Sequence, residues 1–258
     1  VIGLVVVSHS PALAQAAVEL ALQMVQGERP AIAIAAGAGE GLIGTDAAAV
    51  ASAIDEVASA DGVLVIMDLG SAVMSAEMAL DFRASAVEVR LSIAPFVEGL
   101  VAAIVTAAGG ASLEDVDREA CGALSPKAQM LGRPETAVPA AAAALAPAEP
   151  APAPAEPAPS AAPPSGRSTE LTIVNPDGLH ARPAAHLVAT LARLEAKVTI
   201  VNRRIPDRAV SASSLVGLLS LGTKAGDVIT VTATGAEADE ALATITRLVN
   251  DGFGEIDQ

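Results

Sequence analysis

The chain has 258 residues, enough for two ordinary domains, and a formal net charge of −15. That charge argues against a nucleic-acid partner, whose phosphates call for a basic face. Hydrophobic residues make up 52% of the chain but phenylalanine, at three positions, is its only aromatic, so any core must be aliphatic.

In chain order, the first segment "VIGLVVV" is too short for a membrane span or a signal peptide, and residues 2–7 read as a buried strand. Further strands are expected over 31–35, 63–67 and 87–91. Between them run helical patterns such as Leu13, Ala17, Leu20 and Met24. Strands apolar at nearly every position are buried on both faces, and helices between them make right-handed crossovers. The expected architecture is an open parallel α/β sheet, closed by helices over 96–107 and 113–123. The single cysteine, Cys121, falls on the latter and leaves no partner for an internal disulfide; a buried structural thiol is expected.

Residues 133–167 then hold 10 of the 17 prolines, in a run that includes "PAEPAPAPAEPAPSAAPP". Such a tract buries too little surface to offset its ordering entropy and reads as a semi-extended linker. Beyond it the pattern changes: strand 170–175, helix 181–194, strand 197–202, a short strand near 209–211, a short helix 213–219, strand 227–234 and a last helix 237–250. Alternation in "LTIVN", "KVTIV" and "DVITVTATG" indicates half-buried strands, hence an α+β open-faced sandwich. The expected division is therefore a first domain over 1–132, a linker over 133–168 and a second domain over 169–258. Charge follows the division: residues 1–166 carry 6 basic and 19 acidic side chains, residues 167–258 carry 9 and 11.

Chemistry concentrates at two places. In "VVVSHSPALAQ", His9 stands just past the carboxyl end of the first strand, with Ser10 as helix N-cap and Pro11 at the first helical position. Ligands of open α/β sheets bind at that edge. The Gly-rich "AAGAGEGLIGTD" (35–46) and "MDLGS" (67–71), with Asp68 at its tip, arrive at the same rim. His9 as nucleophile with Asp68 fixing its tautomer is one reading; a hydrogen-bonded turn histidine beside a tight glycine turn is the other. In "NPDGLHARPAA", His180 follows a turn and precedes Arg182 and Pro183 in the first turn of a helix. A phosphoryl group on His180 would meet free backbone N–H groups, the positive helix end and Arg182. The plainer reading makes His180 a cap and Arg182 a solvated charge. His186 reads as a surface residue. Three histidines and one cysteine dispersed over two domains make no metal constellation, and no bound cofactor is expected.

The motif "NPDGLHARPAA", with "SASSLVGLLSLG" (211–222), closely resembles HPr, the histidine phosphocarrier of the bacterial phosphoenolpyruvate-dependent phosphotransferase system. Residues 1–132, through "VVVSHSPAL", "AAGAGEGLIGTDA" and "VLVIMDLGSAVMSAEMAL", resemble mannose-type enzyme IIA domains. The two in this order resemble the phosphotransfer subunits of phosphotransferase-dependent dihydroxyacetone kinases, the DhaM family. The resemblance implies phosphorylation of His180, at Nδ1 and supported by Arg182, then of His9, at Nε2 beside Asp68. The donor would be enzyme I charged by phosphoenolpyruvate, with free HPr as a further candidate partner. The acceptor would be ADP held in DhaL, working with DhaK. A cytoplasmic homodimer through the IIA-like domain is implied, with phosphohistidine intermediates, and a separate enzyme I because no such segment falls within these residues. The alternatives are a IIA/HPr fusion serving a sugar transporter or a phosphorylation-dependent regulator. Two features stand apart. "NRRIPDRAVSA" is longer than usual for HPr and carries three arginines, and Ser214 matches a position that some HPr proteins phosphorylate, although capping or packing is the expected role.

Overall fold

A computed structural model describes residues 1–25, 27–39, 41–132 and 166–255. The linker expected over 133–168 lies outside the described residues except at its end, where Arg167 and Ser168 already stand in a strand.

The N-terminal lobe runs β1 (Gly3–Ser8), α1 (Pro11–Leu22), β2 (Ile32–Ala36), α2 (Ala47–Glu56), β3 (Val63–Met67), α3 (Gly70–Phe82), β4 (Val89–Leu91), α4 (Phe96–Ala108), α5 (Leu113–Cys121) and α6 (Ser125–Met130). Its four strands form a parallel sheet in the order β2-β1-β3-β4, the open α/β architecture the strand patterns imply. Every residue of β1 and β3 is buried, and alternate side chains serve opposite cores. Leu4, Val6, Leu64 and Ile66 pack with residues of α1, α4 and α5, while Val5, Val7, Val63 and Val65 pack with α2 and α3. Strand β4 starts two residues later than its apolar run, because its partner β3 begins at Val63, opposite Val89. Helix α5 stops at Cys121 with Gly122 as C-cap, and α6 follows as a separate turn with Pro126 near its start.

The C-terminal lobe comprises β5 (Arg167–Thr172), α7 (Ala181–Leu191), β6 (Ala196–Asn202), β7 (Ala209–Ser211), α8 (Leu215–Ser220), β8 (Val228–Gly235) and α9 (Ala238–Asn250), followed by a 3₁₀ turn (Gly252–Gly254). The sheet is antiparallel, ordered β5-β8-β6-β7, with Leu171, Val198, Ile200, Ile229 and Val231 turned into one core. Residues of α7, α8 and α9 complete that core, giving the open-faced α+β layer. Strand β5 is shifted toward the linker because β8 extends to Gly235, so that Ala233 finds Arg167 opposite it.

Candidate functional site

Two histidines end strands or turns at the amino ends of helices. The first is built by parallel register. Val7 of β1 lies beside Met67 of β3, so the residues that follow, His9 and Asp68, leave the sheet together. Asp68 Oδ1 lies 2.9 Å from His9 Nδ1 and accepts from the Leu69 N–H at 2.7 Å. Asp68 Oδ2 accepts from the His9 N–H at 2.8 Å and from Ser8 Oγ at 2.9 Å. Burial pushes the Asp68 carboxyl up, but the bonds from the His9 amide, the His9 ring and Ser8 outweigh it and hold the group below its ordinary 3.8. An ionised carboxylate at Nδ1 requires a proton there, which leaves the lone pair of the neutral ring on Nε2.

That nitrogen meets Ser71 Oγ at 2.8 Å. Ser71 is in the first turn of α3, which has no side-chain cap, and beside it a Cβ placed on Gly70 would meet nothing within 4 Å. Nε2 thus opens toward uncapped helix N–H groups, the place where a helix favours an anion. The Gly-rich loop arrives at the same rim: the Gly37 and Gly44 N–H groups donate to the Ser8 and His9 carbonyls at 3.0 and 3.2 Å. Thr45 Oγ1 ties that loop to Ser75 of α3 at 2.7 Å. All the elements placed at this rim by sequence are there; Ser71 and Ser8 were not singled out, although Ser71 stands inside "MDLGS" itself.

The second histidine is the N-cap residue of α7. His180 accepts through its carbonyl from the Ala184 N–H at 3.0 Å, yet its side chain makes no capping bond. The ring instead places Nε2 3.1 Å from Glu255 Oε2, which also accepts from Asn175 Nδ2 at 3.0 Å. A carboxylate at Nε2 favours the proton there, which leaves the lone pair of the neutral ring on Nδ1. Asn175 is fully buried and also donates to the Gly252 carbonyl at 2.8 Å, so one amide links the turn before α7 to the chain's end. The turn depends on Gly178, at φ +72°, where a Cβ would come within 2.1 Å of the Thr223 carbonyl oxygen. Arg182 falls in the first turn of α7 and is exposed, with no hydrogen bond or ion pair among the described residues. It supplies charge near the helix end but does not touch His180. Glu255 carried no sequence signal, lying beyond the last periodic helix.

His186 is half-buried rather than a surface residue: it stacks edge-on against Phe253 with ring centroids 6.3 Å apart, and burial lowers its pKa. The arginines of "NRRIPDRAVSA" are engaged. Arg203 reaches Glu170 at 3.3 Å, Arg204 reaches Asp227 at 3.0 Å, and Arg208 donates to Gln129 Oε1 at 2.6 Å. Ser214 caps α8, accepting from the Gly217 N–H at 2.8 Å. Cys121 is partly rather than fully buried, and that burial pushes its thiol up. No cluster of metal-binding side chains occurs, and no helix is long and apolar enough to cross a membrane, among the described residues.

Comparison with known proteins places both lobes. Residues 3–117 match the family described as PTS system fructose IIA component, and residues 167–251 match PTS HPr component phosphorylation site. Over its whole length the chain is 39% identical to a protein of Escherichia coli (strain K12), the "PEP-dependent dihydroxyacetone kinase, phosphoryl donor subunit DhaM". A protein of the same description from Pantoea ananatis (strain LMG 20103) is 41% identical over 98% of the chain. Along its length the chain is similar to DhaM proteins. It spans about half the length of these curated relatives, 52% and 51% respectively. A crystal structure of HPr-C-His from Thermoanaerobacter tengcongensis is 32% identical, covering 34% of this chain and 97% of that one, with a TM-score of 0.33. His9 lies in the IIA match and His180 in the HPr match.

Proposed function

We propose that the chain is a two-step histidine phosphotransferase that passes phosphoryl groups from His180 to His9 for a dihydroxyacetone kinase. One observation carries this reading: each imidazole stands at a helix N-terminus with one nitrogen held by a carboxylate and the other free of it. For His9 the open atom is Nε2, and for His180 it is Nδ1. Residues 1–132 act as the IIA-like domain and 169–258 as the HPr-like carrier, joined by 133–168.

The N–P bond to His180 Nδ1 breaks as the N–P bond to His9 Nε2 forms, with the two nitrogens in line across phosphorus. No proton need cross between the rings. His9 gains positive charge as it is phosphorylated, and the Asp68 carboxylate on Nδ1 offsets it. The phosphoryl oxygens replace the Ser71 hydroxyl at the first turn of α3, where N–H groups receive them without burying the charge. Phosphoryl transfer depends on such positioning and electrostatics rather than on further covalent chemistry. Arg182 supports the carrier at a distance.

Enzyme I charged by phosphoenolpyruvate is the donor to His180, with free HPr able to replace the fused carrier. ADP held in DhaL, working with DhaK, is the acceptor from His9. The protein acts in the cytoplasm without a bound cofactor, as a homodimer. Support for the dimer comes from Met74, Met78 and Phe82, exposed at four-residue spacing along α3.

The test is intact-chain mass spectrometry after incubation with enzyme I and phosphoenolpyruvate, under base that preserves phosphoramidates. The wild type gains phosphoryl groups, His180→Ala gains none, and His9→Ala gains one on the C-terminal lobe. Adding DhaL with ADP, DhaK and dihydroxyacetone then yields dihydroxyacetone phosphate. A chain that is phosphorylated yet yields no such product serves another acceptor, such as a sugar transporter or a regulator.

A further inference from the structure

The two lobes meet on faces away from either histidine. Glu119 of α5 reaches the start of α8, where its Oε2 accepts from Ser214 Oγ at 2.9 Å and from the Val216 N–H at 3.3 Å. Arg208, ahead of β7, donates to Gln129 of α6. Between these polar ties the contact is apolar. Val105 of α4, 2% exposed, belongs to the core of the C-terminal lobe, and Met24, Val25 and Val101 pack against it. Small residues permit the approach: a Cβ on Gly109 would stand 3.4 Å from Ala192 Cβ, and one on Gly122 3.7 Å from Val216 Cγ1.

The same arrangement keeps the reactive rings apart. Every hydrogen bond made by the His9 ring stays in the N-terminal lobe, and that of the His180 ring stays in the C-terminal lobe. The His180 side chain is 40% exposed, and the one ring pair among the described residues is His186 with Phe253. Beyond the end of α7, Arg193 lies against Gly27, which follows α1 and so sits at the sheet edge opposite His9. Transfer in line needs the donor and acceptor nitrogens on either side of one phosphorus, a geometry this contact does not provide.

We propose that α4–α6 form a docking cradle for the α7–α8 face of the fused carrier, with Glu119 as its clasp. The docked carrier is parked: it must lift off before His180 can meet His9. The cradle fits one partner, the chain's own C-terminal lobe, and it competes with any other protein that covers α8. The parked role rests on the relay proposed above; the docking does not.

The experiment is a disulfide between Gly122→Cys and Val216→Cys in the full chain carrying Cys121→Ser. Gly122 has helical backbone angles and its nearest neighbours stand at 3.5 Å or more, so a cysteine fits there. Mild oxidation should close the bond quickly, and Glu119→Ala, which removes both clasping hydrogen bonds, should slow closure about tenfold. The oxidised chain should leave His9 unphosphorylated in the presence of enzyme I and phosphoenolpyruvate, and reduction should restore it. Absence of the disulfide in a folded chain overturns the docking. Equal phosphorylation of His9 in oxidised and reduced chains overturns the parking. If the reduced chain accepts no phosphoryl group at all, the relay falls, while the disulfide yield still decides the docking.

Discussion

Asp68 is a carboxylate that every neighbour treats as an acceptor: two backbone N–H groups, a hydroxyl and a ring nitrogen all point at it. Asp68→Asn therefore cannot satisfy its site. With its oxygen toward Ser8 and the His9 amide, the new NH₂ faces the Leu69 N–H and His9 Nδ1, driving the ring proton to Nε2 and occupying the reacting atom. Transfer from His180 to His9 should slow about a hundredfold with the fold retained, measured by rapid-quench labelling; an unchanged rate removes Asp68 from the relay. The same group gives an acid dependence. Its folded pKa lies below 3.8, so its contribution to stability is present above that value and lost as pH falls through the folded one. Acid unfolding followed by circular dichroism should then show a steeper loss for the wild type than for Asp68→Asn. His9 and Asp68 were legible because register places strand ends side by side. Ser71 was harder to see, since its role depends on the direction in which α3 leaves its N-cap. Glu255 was invisible, because nothing local marks a carboxylate brought to His180 by a distant turn.

Among the elements, strands were read well wherever burial on both faces made them continuously apolar, as in β3, whose bounds coincide with its sequence run. Errors came where a partner strand, not the run itself, sets the end. Pairing with β8 pulls β5 back into the linker's edge, and pairing with β3 trims β4. Helix ends followed caps: Ser10, Asp46 and Ser214 each accept an N–H of the helix they precede, but α6 escaped notice because no side-chain cap announces it. The turn before α7 offers the sharpest element-level test. Gly178 combines a left-handed backbone with close contact to the Thr223 carbonyl, so a methyl group meets backbone on both counts. Gly178→Ala should destabilise the C-terminal lobe by about 2–4 kcal/mol in urea unfolding. It should also displace His180 from Glu255, visible as a shift of the imidazole resonances, while the N-terminal lobe unfolds as before. Unchanged stability would mean the turn relaxes freely and does not position the ring.

At the scale of the whole molecule, the question is what joining two carriers in one chain achieves. Two lobes carried on one chain meet at an effective concentration that general tether arithmetic puts at about millimolar. That advantage can be measured by separating the two histidines into different chains. A mixture of His9→Ala, which retains the carrier, and His180→Ala, which retains the acceptor, can label His9 only between chains. At about 1 μM of each, labelling should be up to about a thousandfold slower than in the wild type and should rise in proportion to concentration. Free HPr added to His180→Ala gives the reference rate for a carrier that lacks the cradle. If the mixture instead labels His9 at a rate independent of dilution, the carrier of one subunit serves the acceptor of the other. The homodimer, rather than the tether, would then be the unit of transfer. The acidic skew of the first 166 residues gives the encounter a sign: their 19 acidic and 6 basic side chains disfavour acidic partners. The C-terminal residues, with 9 basic and 11 acidic side chains, are close to neutral, so raising salt should weaken approach between chains only modestly. A steep fall in the mixed-chain rate between low and physiological salt would show that local charge around Arg182, not net charge, guides the carrier onto His9.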